Sequence, residues 1–232
     1  MDLPDFPRPL TTVDVAIFSL RAGRLAVLLV RRPTDPGEPF PKRWALPGGF
    51  VDIGRDRDLE ACALRKLREK TGLAAPYLEQ VGSWGNARRD PRGWSSTHVY
   101  FALVPEGAAA TPEGEAEWHP IEGSRTGHRL AFDHDALLEA ALDRLRAKVE
   151  YTSLPAYLVP EPFTLAELQR AFEIVLGRAV NKAAFRTRVL SAGMVESTGK
   201  QRGGPTRPAE LYRLAQRNRE LTYFPRPLSP RG

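Results

Sequence analysis

A single cysteine, Cys62, stands among the 232 residues of this chain. One thiol excludes an intrachain disulfide and any cysteine-based zinc cluster, and in an apolar stretch it reads as a small buried hydrophobe rather than a nucleophile. Long apolar runs are missing as well. The strongest, Val13 to Val30, is interrupted by Arg21, Gly23 and Arg24, so neither half approaches the roughly 20 residues needed to cross a bilayer. The opening residues Met1 to Pro7 hold neither a basic nor an apolar targeting pattern, so a cytoplasmic location is expected and no membrane partner. The four histidines, His98, His119, His128 and His134, lack metal-ligand spacing and read as structural or surface residues.

Acidic residues are scarce in one region only. Residues 151–232 carry 13 Lys+Arg against 6 Asp+Glu, whereas residues 1–150 carry 21 against 22. The whole positive excess therefore lies in the last third, which points to a polyanionic partner for that part alone.

Periodicity divides the chain at the same place. Residues 13–20 and 25–31 are apolar, β-branched runs flanking Arg21-Ala22-Gly23-Arg24, the signature of a hairpin. Residues 33–41 hold four prolines and a glycine and read as loop. A short strand over 44–51 leads through Gly48-Gly49 to a helix over about 58–70, with Leu59, Ala63 and Leu67 on one face and Gly72 as its stop. Strands are predicted at 77–83, 97–104 and 117–120, and a second helix at 135–148, so residues 1–150 form an α/β sandwich. Three prolines in 151–162 mark a linker. Beyond it, Thr164 to Glu167 spells a capping box before an apolar face of Leu165, Leu168, Phe172 and Val175. Asn181 can cap a second helix with Phe185 and Val189 facing inward, and two strands, 194–197 and 210–214, flank a glycine-rich basic loop. Residues 163–216 are thus a winged helix-turn-helix in outline, and 217–232 a tail expected to be partly disordered.

Residues 49–73 closely resemble the Nudix box: Gly49-Phe50-Val51 opens it, and Arg65-Lys66-Leu67-Arg68-Glu69-Lys70-Thr71-Gly72-Leu73 closes it. In that family the helix presents carboxylates that bind divalent metals on a substrate diphosphate. Here the spacing survives without the chemistry. Positions 66, 69 and 70 share a helix face, but they are Lys66, Glu69 and Lys70 where the family has three glutamates. The box is two residues too long, and its first glutamate falls on Arg55 or Arg57 depending on the end from which it is counted. Asp56, Asp58 and Glu60 are the carboxylates available to substitute, although ammonium groups four residues apart would repel a dication. Lys66 and Lys70 admit two readings: direct contact with a diphosphate, or ordinary solvated lysines. The loop Arg88-Arg89-Asp90-Pro91-Arg92-Gly93-Trp94 is basic and carries an aromatic, which suits phosphate and base contacts.

The pairing of this box with the C-terminal pattern is similar to the NrtR family of Nudix-related regulators of NAD metabolism. The matching segments are Trp44 to Val51, Arg89 to Trp94, Leu130 to His134, Phe163 to Gln169, Lys182 to Arg186 and Arg207 to Arg213. The resemblance implies an α/β (α+β) fold: a Nudix-type α/β/α sandwich with a C-terminal winged helix-turn-helix. It further implies a homodimeric repressor of NAD synthesis or salvage genes, released from operator DNA by ADP-ribose or a related nucleotide, with no cofactor required and no catalytic residue. Ligand contacts are expected from Trp44, Arg65, Lys66, Glu69, Lys70, Arg88, Arg89, Arg92 and Phe132. DNA contacts are expected from Lys182, Arg186, Thr187, Arg188 and Ser191 on the second helix, and from Lys200, Arg202 and Arg207 on the wing. Two other readings stay open: a pyrophosphatase of ADP-ribose or nucleotide sugars with an atypical metal site drawing on Glu113, Glu115 or Glu117, and a winged helix that binds protein rather than DNA.

Overall fold

The computed structural model of the chain describes residues 8–108, 115–203, 208–215, 221–224 and 228. The N-terminal hairpin forms as its turn signal requires: β1 (Leu10–Arg21) and β2 (Arg24–Arg31) pair antiparallel around Ala22-Gly23. The predicted strand over 44–51 is instead two, β3 (Trp44–Ala45) and β4 (Gly48–Phe50), pairing with β2 and β1 respectively. The interruption falls at Leu46-Pro47, where proline supplies no ladder donor, although the Pro47 carbonyl still accepts from Val15 N–H at 2.8 Å. Helix α1 (Leu59–Thr71) starts on Asp58, whose carboxylate accepts from Ala61 N–H, and ends on Gly72 at φ 68°. Then come β5 (Tyr77–Asn86), β6 (Ser95–Leu103), β7 (Ala116–Pro120) and α2 (His134–Val149). The sheet is mixed, in the order β3-β2-β1-β6-β5, with β1 and β6 parallel and β7 against β2.

Alternation along the strands assigns each face of the sheet a helix. Val13, Val15, Ile17, Leu28, Tyr100 and Ala102 meet Cys62, Ala63 and Leu67 of α1. Ala16, Phe18, Val27, Phe101 and Leu103 meet Leu137, Leu138, Ala141, Leu142 and Leu145 of α2. The expected α/β/α sandwich is what the chain adopts.

The C-terminal region is built from α3 (Leu165–Leu176), α4 (Lys182–Ser191) and a hairpin of β8 (Val195–Arg202) with β9 (Ala209–Leu214). Both halves of the Thr164–Glu167 capping box are present, and the Asn181 side chain accepts from Ala184 N–H. Phe163 and Tyr212 exchange backbone hydrogen bonds, an isolated bridge that ties the start of the region to the wing.

Two further segments carry structure of their own. The stretch read as a linker, 151–162, contains a 3-10 helix over Leu154–Leu158 whose Leu154, Ala156 and Leu158 are buried. Proline there starts the short helix instead of keeping the chain extended. Nor is the tail simply loose where it is described. Phe224 is 5% exposed, its N–H donates to the Tyr151 carbonyl, and Thr152 bridges to Tyr223. A buried aromatic and backbone pairing hold these residues against the rest of the chain. One apolar cluster therefore runs from Phe18 and Phe101 in the sheet, through α2 and the 3-10 helix, to Phe172, Phe185 and Val189 in the winged helix.

Candidate functional site: a cationic cleft and a winged-helix face

A cleft of about 300 Å³ opens where β1, β2, β4 and α1 meet the start of α2. Its floor is a buried polar network. Asp14, a lone carboxylate in an apolar strand, accepts from the Thr97 hydroxyl at 2.7 Å and lies 3.6 Å from both Arg89 and His134. Arg89 reaches it from the β5–β6 loop with a side chain 4% exposed, and forks onto Asp133 at 3.0 and 3.1 Å. His134 Nδ1 accepts from Leu46 N–H at 3.0 Å, which in the neutral ring puts the proton on Nε2, facing Asp14. Burial lowers the pKa of His134, favouring that neutral form. Gly48 is dictated by close approach: a Cβ there would sit 2.2 Å from the Asp14 carboxylate and 2.5 Å from the Val13 carbonyl.

The rim is aromatic and basic. Phe132 holds φ 53°, a left-handed conformation that costs a bulky residue free energy and recurs at ligand sites. Its ring meets Phe40 edge-on at 4.8 Å and carries the Arg32 guanidinium 5.0 Å above it. Arg92 donates to Asp90 and lies 5.0 Å over Phe50.

Of the nine residues expected to touch ligand, Lys66, Lys70, Arg89, Arg92 and Phe132 line this cleft. Four do not. Trp44 is buried behind the wall, its ring covered by Arg31 at 4.0 Å and packed on His119 at 4.6 Å. Arg65 is turned inside the helix–loop junction by Asp56, and Glu69 is held by Arg65 at 3.0 and 3.2 Å. Arg88 is exposed on the β5–β6 turn. Sequence reasoning missed Asp14, Arg31, Arg32, Glu38 and His134, all in the lining, where they are joined by Asp90 and Glu115. His134 is thus a wall of the cleft as well as a structural residue.

A divalent cation of the Nudix type does not fit the residues present. Asp56 is 2% exposed and spent on Arg65, which holds its carboxyl well below the usual range. Asp58 caps α1. Burial would raise the pKa of Glu69, but Arg65, Lys66 and Arg55 outweigh it and keep the carboxylate ionised among three cations. Among the described residues no three His, Cys, Asp or Glu side chains are grouped to hold a metal. Glu113, one of the later-loop carboxylates, lies outside the described residues; Glu115 is paired with Arg31. Burial pushes the Cys62 thiol up to about 11, leaving it unreactive.

On α4, Phe185 and Val189 are buried while Lys182, Ala183, Arg186, Thr187 and Ser191 are exposed, the division the helical spacing predicts. Lys182, Arg186 and Gln201 line a groove between this helix and the wing. Arg188 instead leans over Phe224 at 6.0 Å. Arg202 is drawn back onto α3, pairing with Glu167 at 2.5 Å and donating to the Pro162 carbonyl. Lys200 is exposed on the hairpin, and Arg207 lies outside the described residues. No helix among the described residues is long and apolar enough to cross a membrane.

Comparison with family models matches residues 10–140 to the NUDIX domain and residues 155–214 to the NrtR DNA-binding winged helix domain. A relative from Acinetobacter baylyi, the ADPR responsive transcriptional repressor NtrR, is 49% identical over 97% of this chain and 89% of its own length. The crystal structure of Shewanella oneidensis NrtR complexed with a 27mer DNA superposes with a TM-score of 0.86 at 40% identity, covering 94% of this chain and 99% of that one. The NUDIX domain of the same Shewanella protein, complexed with ADP ribose, matches at 41% identity and a TM-score of 0.57 over 62% of this chain and 94% of that one. Likeness that runs from the first strand to the wing, in both sequence and structure, makes this chain a member of the NrtR family.

Proposed function

We propose that the protein is a homodimeric transcriptional repressor that responds to ADP-ribose. In this reading the winged helix holds double-stranded operator DNA at genes of NAD synthesis or salvage, and the cleft takes ADP-ribose or a related NAD-derived nucleotide, whose binding releases the DNA. The cleft binds without hydrolysing, no cofactor is required, and the protein works in the cytoplasm. The observation that supports this most is the position of α2: its start, with Phe132 just before the helix and His134 as its first residue, forms one wall of the cleft, and its body packs against α3 of the winged helix. Occupancy of the cleft and the placing of α4 therefore share one rigid element. A single winged helix grips few base pairs, so two copies on a palindrome supply specific affinity, and half-site spacing then depends on how the copies are held.

The test is reciprocal. If ADP-ribose weakens operator binding tenfold, about 1.4 kcal/mol, DNA weakens ADP-ribose binding by the same factor. Titrating ADP-ribose into free protein and into the protein–operator complex measures both. Equal affinities would show that the nucleotide is not the effector. Release of AMP from ADP-ribose at an enzymatic rate, on the order of 1 per second or more, would overturn the non-hydrolytic part.

A further inference from the structure

The cleft's charges pair off unevenly. Six cations line it: Arg31, Arg32, Lys66, Lys70, Arg89 and Arg92. Each of the four arginines faces a carboxylate from the same lining. Arg31 meets Glu115 at 3.1 Å, Arg32 grips Glu38, Arg89 lies 3.6 Å from Asp14, and Arg92 meets Asp90 at 2.8 Å. The lysines are different. Lys66 has only Glu69, at 3.6 Å, and that carboxylate is already forked by Arg65. Lys70 has no ion pair among the described residues. The positive charge still available for a ligand is therefore that of two ammonium groups one helical turn apart, with Cβ atoms roughly 5–6 Å from each other.

Lys66 is also positioned. Its stem lies across the backbone of Gly49, where a Cβ would come within 3.1 Å of both Cε and Nζ, and its side chain is 16% exposed. A lysine fixed in this way has lost much of its rotamer freedom before any ligand arrives, which lowers the entropic cost of contact. Gly49 lets the ammonium reach the cleft from a box position at which the Nudix pattern has a glutamate.

Resting on the reading of the cleft as an ADP-ribose site, we infer that Lys66 and Lys70 hold the effector's diphosphate directly, in the role a divalent cation has in Nudix enzymes, so that effector binding is independent of metal. The ligand class is a nucleoside diphosphate ester. Specificity for the rest of the molecule falls to the aromatic rim and the Asp14 network, because an ammonium is a point charge that does not discriminate among diphosphates.

The experiment is calorimetric titration of ADP-ribose into the full-length protein, once in EDTA and once in millimolar magnesium. The same affinity in both is expected. Lys66→Gln with Lys70→Gln should weaken binding at least tenfold in both buffers. Lys66→Glu with Lys70→Glu, which beside Glu69 rebuilds a three-carboxylate face, should bind weakly in EDTA and regain affinity in magnesium. Thermal melting checks that each variant is folded; if a double variant is not, Lys70→Gln alone carries the test, since its side chain is exposed and weaker binding is still expected. Wild-type binding in magnesium only would overturn the inference and leave the proposed function standing. Wild-type strength in the glutamine variants without metal would show the lysines to be solvent-facing and overturn it equally. Absence of ADP-ribose binding under either condition would instead remove the proposed function itself.

Discussion

Replacing Phe172 by alanine should lower the melting temperature even of the part of the protein it does not belong to. Phe172 sits on α3, fully buried, with Phe185 edge-on at 5.1 Å and Phe224 at 6.3 Å, and the cluster containing it continues without a break into the Nudix-type sheet. Truncating a buried phenylalanine costs about 3–5 kcal/mol from lost transfer energy and the cavity left behind. For a chain of this length each kcal/mol lowers Tm by roughly 2–4 °C, so a drop of about 6–20 °C is expected. The readout is built into the sequence. All four tryptophans, Trp44, Trp84, Trp94 and Trp118, lie in the N-terminal domain, so tryptophan fluorescence reports that domain alone. If the core is one cooperative unit, the fluorescence melt shifts with Phe172→Ala as far as the circular-dichroism melt. A fluorescence melt that stays in place while helical signal is lost earlier would refute the continuity of the core.

Arg89→Met should cost about 3–5 kcal/mol in urea denaturation, because it strands Asp14 without its cation in the cleft floor. Adding Asp14→Asn should recover part of that loss, and additivity within about 0.5 kcal/mol would show that the pair is not the cause. Burial lowers the pKa of His134, His119 and His98, so the folded state binds fewer protons than the unfolded one. Stability should be full above about pH 6.5 and fall as pH drops from there through the depressed values, with His134→Gln flattening the slope in denaturation series at several pH values. Lys182→Ala and Arg186→Ala should each weaken operator binding; if they contact phosphate, each lowers the slope of log affinity against log salt by about 1, and an unchanged slope would assign them to base edges.

The elements legible in the sequence are those with local causes. The Thr164 capping box, the Asn181 cap and the Gly72 stop need only a few neighbouring residues, and each forms as read. The site was legible in part. Lysines at box positions announce themselves by spacing, whereas the fate of Arg65 was decided by Asp56, nine residues away on an irregular loop. Asp14 offered a signal that went unused: a carboxylate inside the run Val13 to Leu20 is out of place unless something buried needs it. Its partners Thr97, Arg89 and His134 come from distant segments brought together by the sheet, and no local pattern pairs them. The left-handed backbone of Phe132 could not be foreseen, although the residue itself was, since such a conformation contradicts propensity and is held by its surroundings. The docking of Phe224 depends on the groove it fills, and the proline-rich composition around it argues for the opposite.

Helix α2 has 16 residues and so is about 24 Å long. One end is fixed in the wall of the cleft, and its flank rests on α3, the helix that precedes the exposed α4. A rod held at that end is a lever: tilting it by about 5° about the cleft displaces the far tip by about 2 Å, enough to move a side chain from one groove contact to none. In the proposed reading such a device asks little of its ligand, because contact at the aromatic rim need only nudge the start of the helix, and the length of the helix does the multiplication.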